Sequence, residues 1–131
     1  MSTLYVDTIN EKTSGNGIYI PGHVLQVVQS TITSTPTTTS TTFVDTGLSV
    51  TITPTSSSSK ILVMADYGTG SANSSGGMVT QLVRGSTSLF YRGDSYTGSN
   101  GTYGAGSFNH LDSPATTSAV TYKIQYLTQS A

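Results

Sequence analysis

The chain alternates short apolar runs with stretches of Ser, Thr and Gly, and within the runs the apolar side chains recur at every second residue. Between residues 48 and 53, Leu, Val and Ile alternate with Ser and Thr. Between 119 and 128, Val120, Tyr122, Ile124 and Tyr126 occupy one face, and Thr, Lys and Gln occupy the other. A period of two is that of a half-buried strand, so these segments predict β-structure.

The same pattern, with Gly, Pro and Ser turns between the segments, extends along most of the chain. It predicts further strands at 4–9, 18–20, 23–33, 43–44, 60–67, 78–84 and 88–92. Ile61 to Met64 are consecutive apolar residues, which predicts a central strand buried on both faces. Residues 93–106 predict a long loop and 108–114 an irregular segment. About eight strands with closely spaced turns indicate an antiparallel β-sandwich, jelly-roll-like in character.

Pro21-Gly22 divides the chain into a short extended N-terminal arm, residues 1–22, and a β-sandwich domain, residues 23–131. Two strands alone are marginal in water, so the arm is expected to be ordered by a neighbouring subunit or a docking partner. Its apolar residues are the predicted docking and oligomerisation contacts: Leu4, Tyr5, Val6, Ile9, Ile18 and Ile20.

Composition favours self-association. Ile, Leu, Val and Phe together number 28 of 131 residues, little above the roughly 20% below which chains tend to be disordered. The chain has no cysteine, so no disulfide compensates for the small core.

A net charge of -1 supplies no basic patch for nucleic acid, and no apolar run is long enough to insert in a membrane. The first residues do not have the pattern of a secretory signal.

Several segments resemble one family. Leu4-Tyr5-Val6-Asp7-Thr8-Ile9, the Pro21-to-Val28 run, Thr42 to Leu48, Ser59 to Val63 and Val120 to Tyr126 are similar to tail-fibre and other virion structural proteins of marine bacteriophages, notably those that infect cyanobacteria. The resemblance implies a homotrimer with an N-terminal attachment arm and an exposed β domain similar to trimeric jelly rolls of the TNF/C1q type. Relatives usually continue past the position of Gln129 into at least one more hairpin, so either the sheet ends there or a neighbouring chain supplies the missing edge.

Catalytic chemistry is sparse, and we predict that the protein is not an enzyme and has no cofactor and no metal site. His23 and His110 lack metal-ligand spacing, and the carboxylates are scattered, whereas glycoside cleavage needs a pair about 5 to 10 Å apart. His110-Leu111-Asp112 is a possible general-base fragment. A hydrolytic fibre that uses Asp94 or Asp112 is therefore an open alternative, as is a secreted adhesin or pilin-like module.

One segment combines aromatic rings with polar groups in a pattern suited to sugar recognition. Its predicted binding residues for a glycan or receptor are Tyr91, Arg92, Asp94, Tyr96, Asn100 and Tyr103. The competing interpretation is that the tyrosines end strands in the core and the loop packs against another subunit.

The sequence thus predicts a non-enzymatic virion protein, made in the host cytoplasm, that forms a homotrimer and contacts other tail or capsid proteins. Contact with a host surface polysaccharide is the candidate role of the loop. The alternative is a purely structural capsid or tail decoration protein that binds no receptor.

Overall fold

The computed structural model describes residues 5–10, 22–71, 77–94 and 102–129. Within these residues the fold is all-β and contains no helix. Its strands are β1 (Val44–Ile52), β2 (Ile61–Ser71), β3 (Met78–Arg84), β4 (Thr87–Asp94), β5 (Thr102–Asp112) and β6 (Val120–Thr128). The predicted all-β class is confirmed.

The strands form two antiparallel sheets of unequal width. One sheet has the order β1-β6-β3-β4, and the other pairs β2 with β5 along eleven residues. β3 and β4 form the predicted hairpin, whose turn contains Gly85 at φ 59°, a conformation that favours glycine. The two sheets face each other as a sandwich.

The core lies between the sheets and is small. Ile61, Leu82, Tyr122 and Ile124 are buried together, and half-buried side chains from β1, β2, β4, β5 and β6 surround them: Leu48, Val50, Ile52, Val63, Ala65, Leu89, Phe108 and Val120. The alternation predicted for β6 is confirmed, because Tyr122, Ile124 and Tyr126 are buried and Thr121 is exposed.

Two predicted strands are absent from the described residues. Residues 23–33 are not a strand and residues 5–9 are not a strand, although both carry strand-like patterns. Their apolar side chains are exposed, Val27 at 83% and Tyr5 at 89%. An alternating pattern indicates which side chains a segment would bury if it were paired in a sheet. Neither segment has a partner strand among the described residues. The predicted 18–20 strand lies outside those residues.

The expectation for β2 is wrong in one respect, and β5 was not predicted. β2 is buried on one face only: Leu62 and Met64 are 58% and 71% exposed, because no element of the described chain covers the outer face of the two-stranded sheet. The segments predicted as loop and irregular structure, 93–106 and 108–114, contain most of β5, which pairs with β2 in continuous register.

A ring that spans the two sheets sets the position of β5. Tyr67 on β2 lies opposite Gly106 on β5, and its hydroxyl is 2.7 Å from Oγ1 of Thr80 on β3. The same ring is 6.1 Å from that of Phe108, which is 5.6 Å from Phe90 on β4. Gly106 is required because the tyrosine ring occupies the space that a Cβ would fill.

We predict that Gly106→Ala destabilises the fold by roughly 1–3 kcal/mol, the usual effect of overpacking. The added Cβ would lie 2.5 Å from Cε2 of Tyr67, so the ring must move and its hydrogen bond to Thr80 weakens. Urea unfolding followed by tyrosine fluorescence measures the change. The matched control is Gly68→Ala, in the partner strand, where a Cβ meets nothing within 4 Å. Equal stability of the two variants would contradict this role for Gly106.

Candidate functional site

The structure separates the predicted binding residues over different surfaces. Tyr91 pairs with Gln81 in the β3–β4 ladder, which places it on the outer face of the four-stranded sheet, where it is 71% exposed. Tyr103 pairs with Gly70 near the start of β5 and is 90% exposed on the outer face of the two-stranded sheet. The two rings therefore lie on opposite outer faces of the sandwich.

The remaining members of the predicted set are placed only in part. Arg92 follows Tyr91 on β4 and donates a 3.4 Å hydrogen bond to the carbonyl oxygen of Ser107 on β5. Its guanidinium thus links the edges of the two sheets. Asp94 ends β4, and its backbone pairs with Met78. Tyr96 and Asn100 lie outside the described residues, so recognition by the full loop stays a prediction.

The outer face that carries Tyr91 also carries a row of hydrogen-bonded polar side chains that crosses all four strands. Gln125 on β6 donates to Asp45 on β1 at 2.6 Å and accepts from Nε2 of Gln81 on β3 at 2.7 Å. Ser88 on β4 donates to Oε1 of Gln81 at 2.9 Å. We call these residues, with Lys123, the polar row. Sequence analysis missed it because it depends on strand register.

The charged end of the polar row is exposed. Lys123 lies 3.0 Å from Oδ2 of Asp45. Hydrogen bonds from Gln125 and then Lys123 hold the pKa of Asp45 below its usual value. Because both side chains are open to water, this pair contributes little stability. The row instead presents amide and hydroxyl groups beside one exposed aromatic ring.

A second polar cluster, with a buried charge, lies between the sheets. Asp112 at the end of β5 is 7% exposed and accepts from Arg84 Nη1 at 2.9 and 2.7 Å. The Tyr122 hydroxyl donates to its Oδ2 at 2.6 Å. The cluster joins β5 to β3 and β6. Asp112 is thus partnered by a guanidinium and a phenol, and neither contact involves His110.

The pKa values in this cluster follow from its contacts. Burial raises the pKa of Asp112, but hydrogen bonds from Tyr122, the Ser113 backbone and Arg84 outweigh burial, so the pKa lies below its usual value. Burial and then the Asp112 carboxylate raise the pKa of Tyr122. The charged carboxylate and the neutral phenol are both stabilised, as expected for a structural cluster.

The described residues contain no candidate metal centre and no membrane-spanning helix. No group of three or more His, Asp or Glu side chains in this part of the chain is arranged to hold a metal ion. None of its segments is a helix long and apolar enough to span a membrane.

Comparison with known proteins returned no match: no family model, no curated protein and no solved structure is similar to this chain.

We predict that Asp112→Ala lowers the free energy of unfolding by about 3 kcal/mol, because it leaves Arg84 without its carboxylate in a partly buried site. Asp45→Ala, which breaks the exposed pair, should cost less than about 1 kcal/mol. Urea unfolding at pH 7 and fixed protein concentration compares them. Similar losses in the two variants would argue against a structural role for the buried cluster.

The same carboxylate should make stability depend on acid. A lowered folded-state pKa contributes stability that is complete above the unfolded value of about 3.9 and is lost as pH falls through the folded value. The native protein should therefore lose more stability between pH 5 and pH 2 than Asp112→Asn does. Thermal unfolding across this range measures the difference, and parallel curves would contradict the assignment.

Proposed function

We propose that this protein is a non-enzymatic structural subunit of a bacteriophage virion, part of a tail fibre or fibre-like assembly, that works as a homotrimer. The observation that carries the proposal is the distribution of apolar side chains. Fourteen large hydrophobic residues are exposed among the described residues, and seven hydrophobic residues are buried. A chain with this distribution gains most of its possible apolar burial by contact with other chains.

The exposed apolar residues are concentrated in segments suited to assembly. Eight of them lie before β1, in residues 5–9 and 24–32, where the chain has no strand structure. Three more, Leu62, Met64 and Leu111, lie together on the outer face of the two-stranded sheet. Residues 1–22 would dock on other tail or capsid proteins or pack around the trimer axis, and the sandwich would remain exposed on the particle.

Assignment to a phage particle rests on the resemblance of the strand sequences. Three of the five segments that carry it overlap β1, the start of β2 and β6, and so lie in the framework of the sandwich. The bonding of Asp112 to Arg84 and Tyr122 makes it a poor general base, and this favours a structural function over the hydrolytic alternative.

Contact with a host surface polysaccharide is the role we propose for the exposed aromatic residues. Tyr91 lies beside the amides of the polar row, and an aromatic ring next to hydrogen-bonding groups can stack on a sugar and bind its hydroxyls. Three weak contacts on one trimer would combine through their high effective concentration. A decoration protein that binds no receptor is the second candidate.

Assembly into particles is the first test. Native mass spectrometry of the purified protein should give three times the chain mass. Antibody raised against it should label intact particles purified from the cells that encode the chain. A monomer that is also absent from particles would overturn the proposal. A trimer that does not label particles would remove only the virion assignment.

Receptor contact is tested separately by Tyr91→Ser. We expect the variant trimer to bind polysaccharide extracted from the propagating bacteria at least ~10-fold more weakly. Each subunit loses an aromatic contact of about 0.5–1.5 kcal/mol, and the three losses in binding free energy add across the trimer. The control is Thr87→Ala, exposed at the opposite end of β4. Binding unchanged in Tyr91→Ser and in Tyr103→Ser would favour the decoration protein.

A further inference from the structure

A groove about 340 Å³ in volume runs between β2 and the segment before β1. One wall is formed by residues 28–31 and the other by residues 63–66 of β2. Its floor is the inner face of the four-stranded sheet and includes Leu82, Tyr122 and Ile124. The groove therefore opens directly onto the buried core.

Among the described residues, neither wall of the groove pairs with a strand on the side that faces the groove. β2 pairs with β5 along one of its two edges. No backbone hydrogen bond joins residues 23–33 to any other part of the chain that the structure describes. An extended peptide between the walls could pair with β2 on one side and with residues 28–31 on the other. It would convert a two-stranded sheet, which is marginal alone, into a wider one.

The floor specifies what kind of peptide fits. Leu48, Val50 and Val63 line the groove and are only half-buried, so an incoming strand must direct apolar side chains inward at alternate positions. Met64 and Asp66 alternate outward on the β2 wall, so the strand's other face meets solvent and tolerates polar residues.

The chain itself carries such a peptide. Residues 4–9 alternate Leu4, Val6 and Thr8 with Tyr5, Asp7 and Ile9. In the structure residues 5–9 lie outside their own groove: Tyr5 is 89% exposed, Val6 51% and Ile9 56%. Each copy thus offers one donor strand and one acceptor groove.

We propose that the N-terminal segment, residues 4–9, of a second copy enters this groove as a strand between β2 and residues 28–31. Donation from each subunit to the next is a heterologous contact, and with a three-fold rotation it closes a ring of three in which every groove is filled. The inference rests on the self-association in the proposed function and names the surfaces that perform it. It does not depend on the virion assignment.

Cysteine cross-linking tests the contact, because the chain has no cysteine of its own. The double variant Asp7→Cys and Met64→Cys joins the outward face of the segment to the outward face of the β2 wall. The control pairs Asp7→Cys with Thr51→Cys, exposed on the outer face of the other sheet. After treatment with a short bis-maleimide at native concentration, denatured mass analysis should show covalently joined chains for the first pair and single chains for the second.

Each of the other outcomes contradicts either the proposed strand donation or the proposed function. A cross-link within single chains would show that the segment fills its own groove. An intact trimer with no cross-link would reject the proposed strand donor and leave the proposed function standing. A protein that is monomeric before cross-linking would reject both.

A charge placed in the segment gives an independent measurement. Val6→Asp should raise the dissociation constant of the assembly at least ~10-fold, because its side chain would enter the apolar floor. Asn10→Asp adds the same charge just past the segment and should leave the constant unchanged. Light scattering across a dilution series measures both. Equal constants for Val6→Asp and the native protein would contradict the proposal.

Discussion

The fold depends on a mismatch: a two-stranded sheet has to cover the inner face of a four-stranded one. Polar contacts hold the sheets together: Asp112 bonds to Arg84 and Tyr122 at one end, Tyr67 to Thr80 farther along, and Arg92 to the carbonyl oxygen of Ser107 at the sheet edges. The narrow sheet covers β3 and its neighbours, so the inner face of β1 remains half-buried. The groove beside β2 follows from this shortage of strands.

Few charges are available to keep such a protein dispersed, and polar neutral side chains take their place. Ser and Thr make up about a third of the chain. On the outer face of the wide sheet they pair across strands, as Thr51 does with Thr121 at 2.8 Å, and the glutamines of the polar row do the same. Side chains that are hydrogen-bonded to one another along the surface of the sheet remain in contact with water. This surface is polar, whereas the outer face of β2 and β5 carries the exposed apolar side chains of Leu62, Met64 and Leu111, so the two faces of the sandwich suit different uses.

The apolar pattern of the sequence predicts a strand correctly where alternate side chains of that strand enter the core. It does not predict a strand whose position is set by pairing with another strand. β1, β6 and the β3–β4 hairpin were predictable from their apolar periodicity. β5 was not, because residues 102–107 are mostly Gly, Ser and small side chains; pairing with β2 and the ring of Tyr67 over Gly106 place it. Tyr91 and Tyr103 are close in sequence, but β4 and β5 belong to different sheets. The polar row depends on the β3–β6 register, which no single strand encodes.

Unpaired edges normally put a β protein at risk, because any extended chain can add to them. Here the edge of β2 that has no partner strand and two exposed apolar segments, 5–9 and 24–32, occur in the same molecule. A contact that uses both is heterologous, and it closes a ring only when its rotation is that of a cyclic group; otherwise it continues as an open polymer.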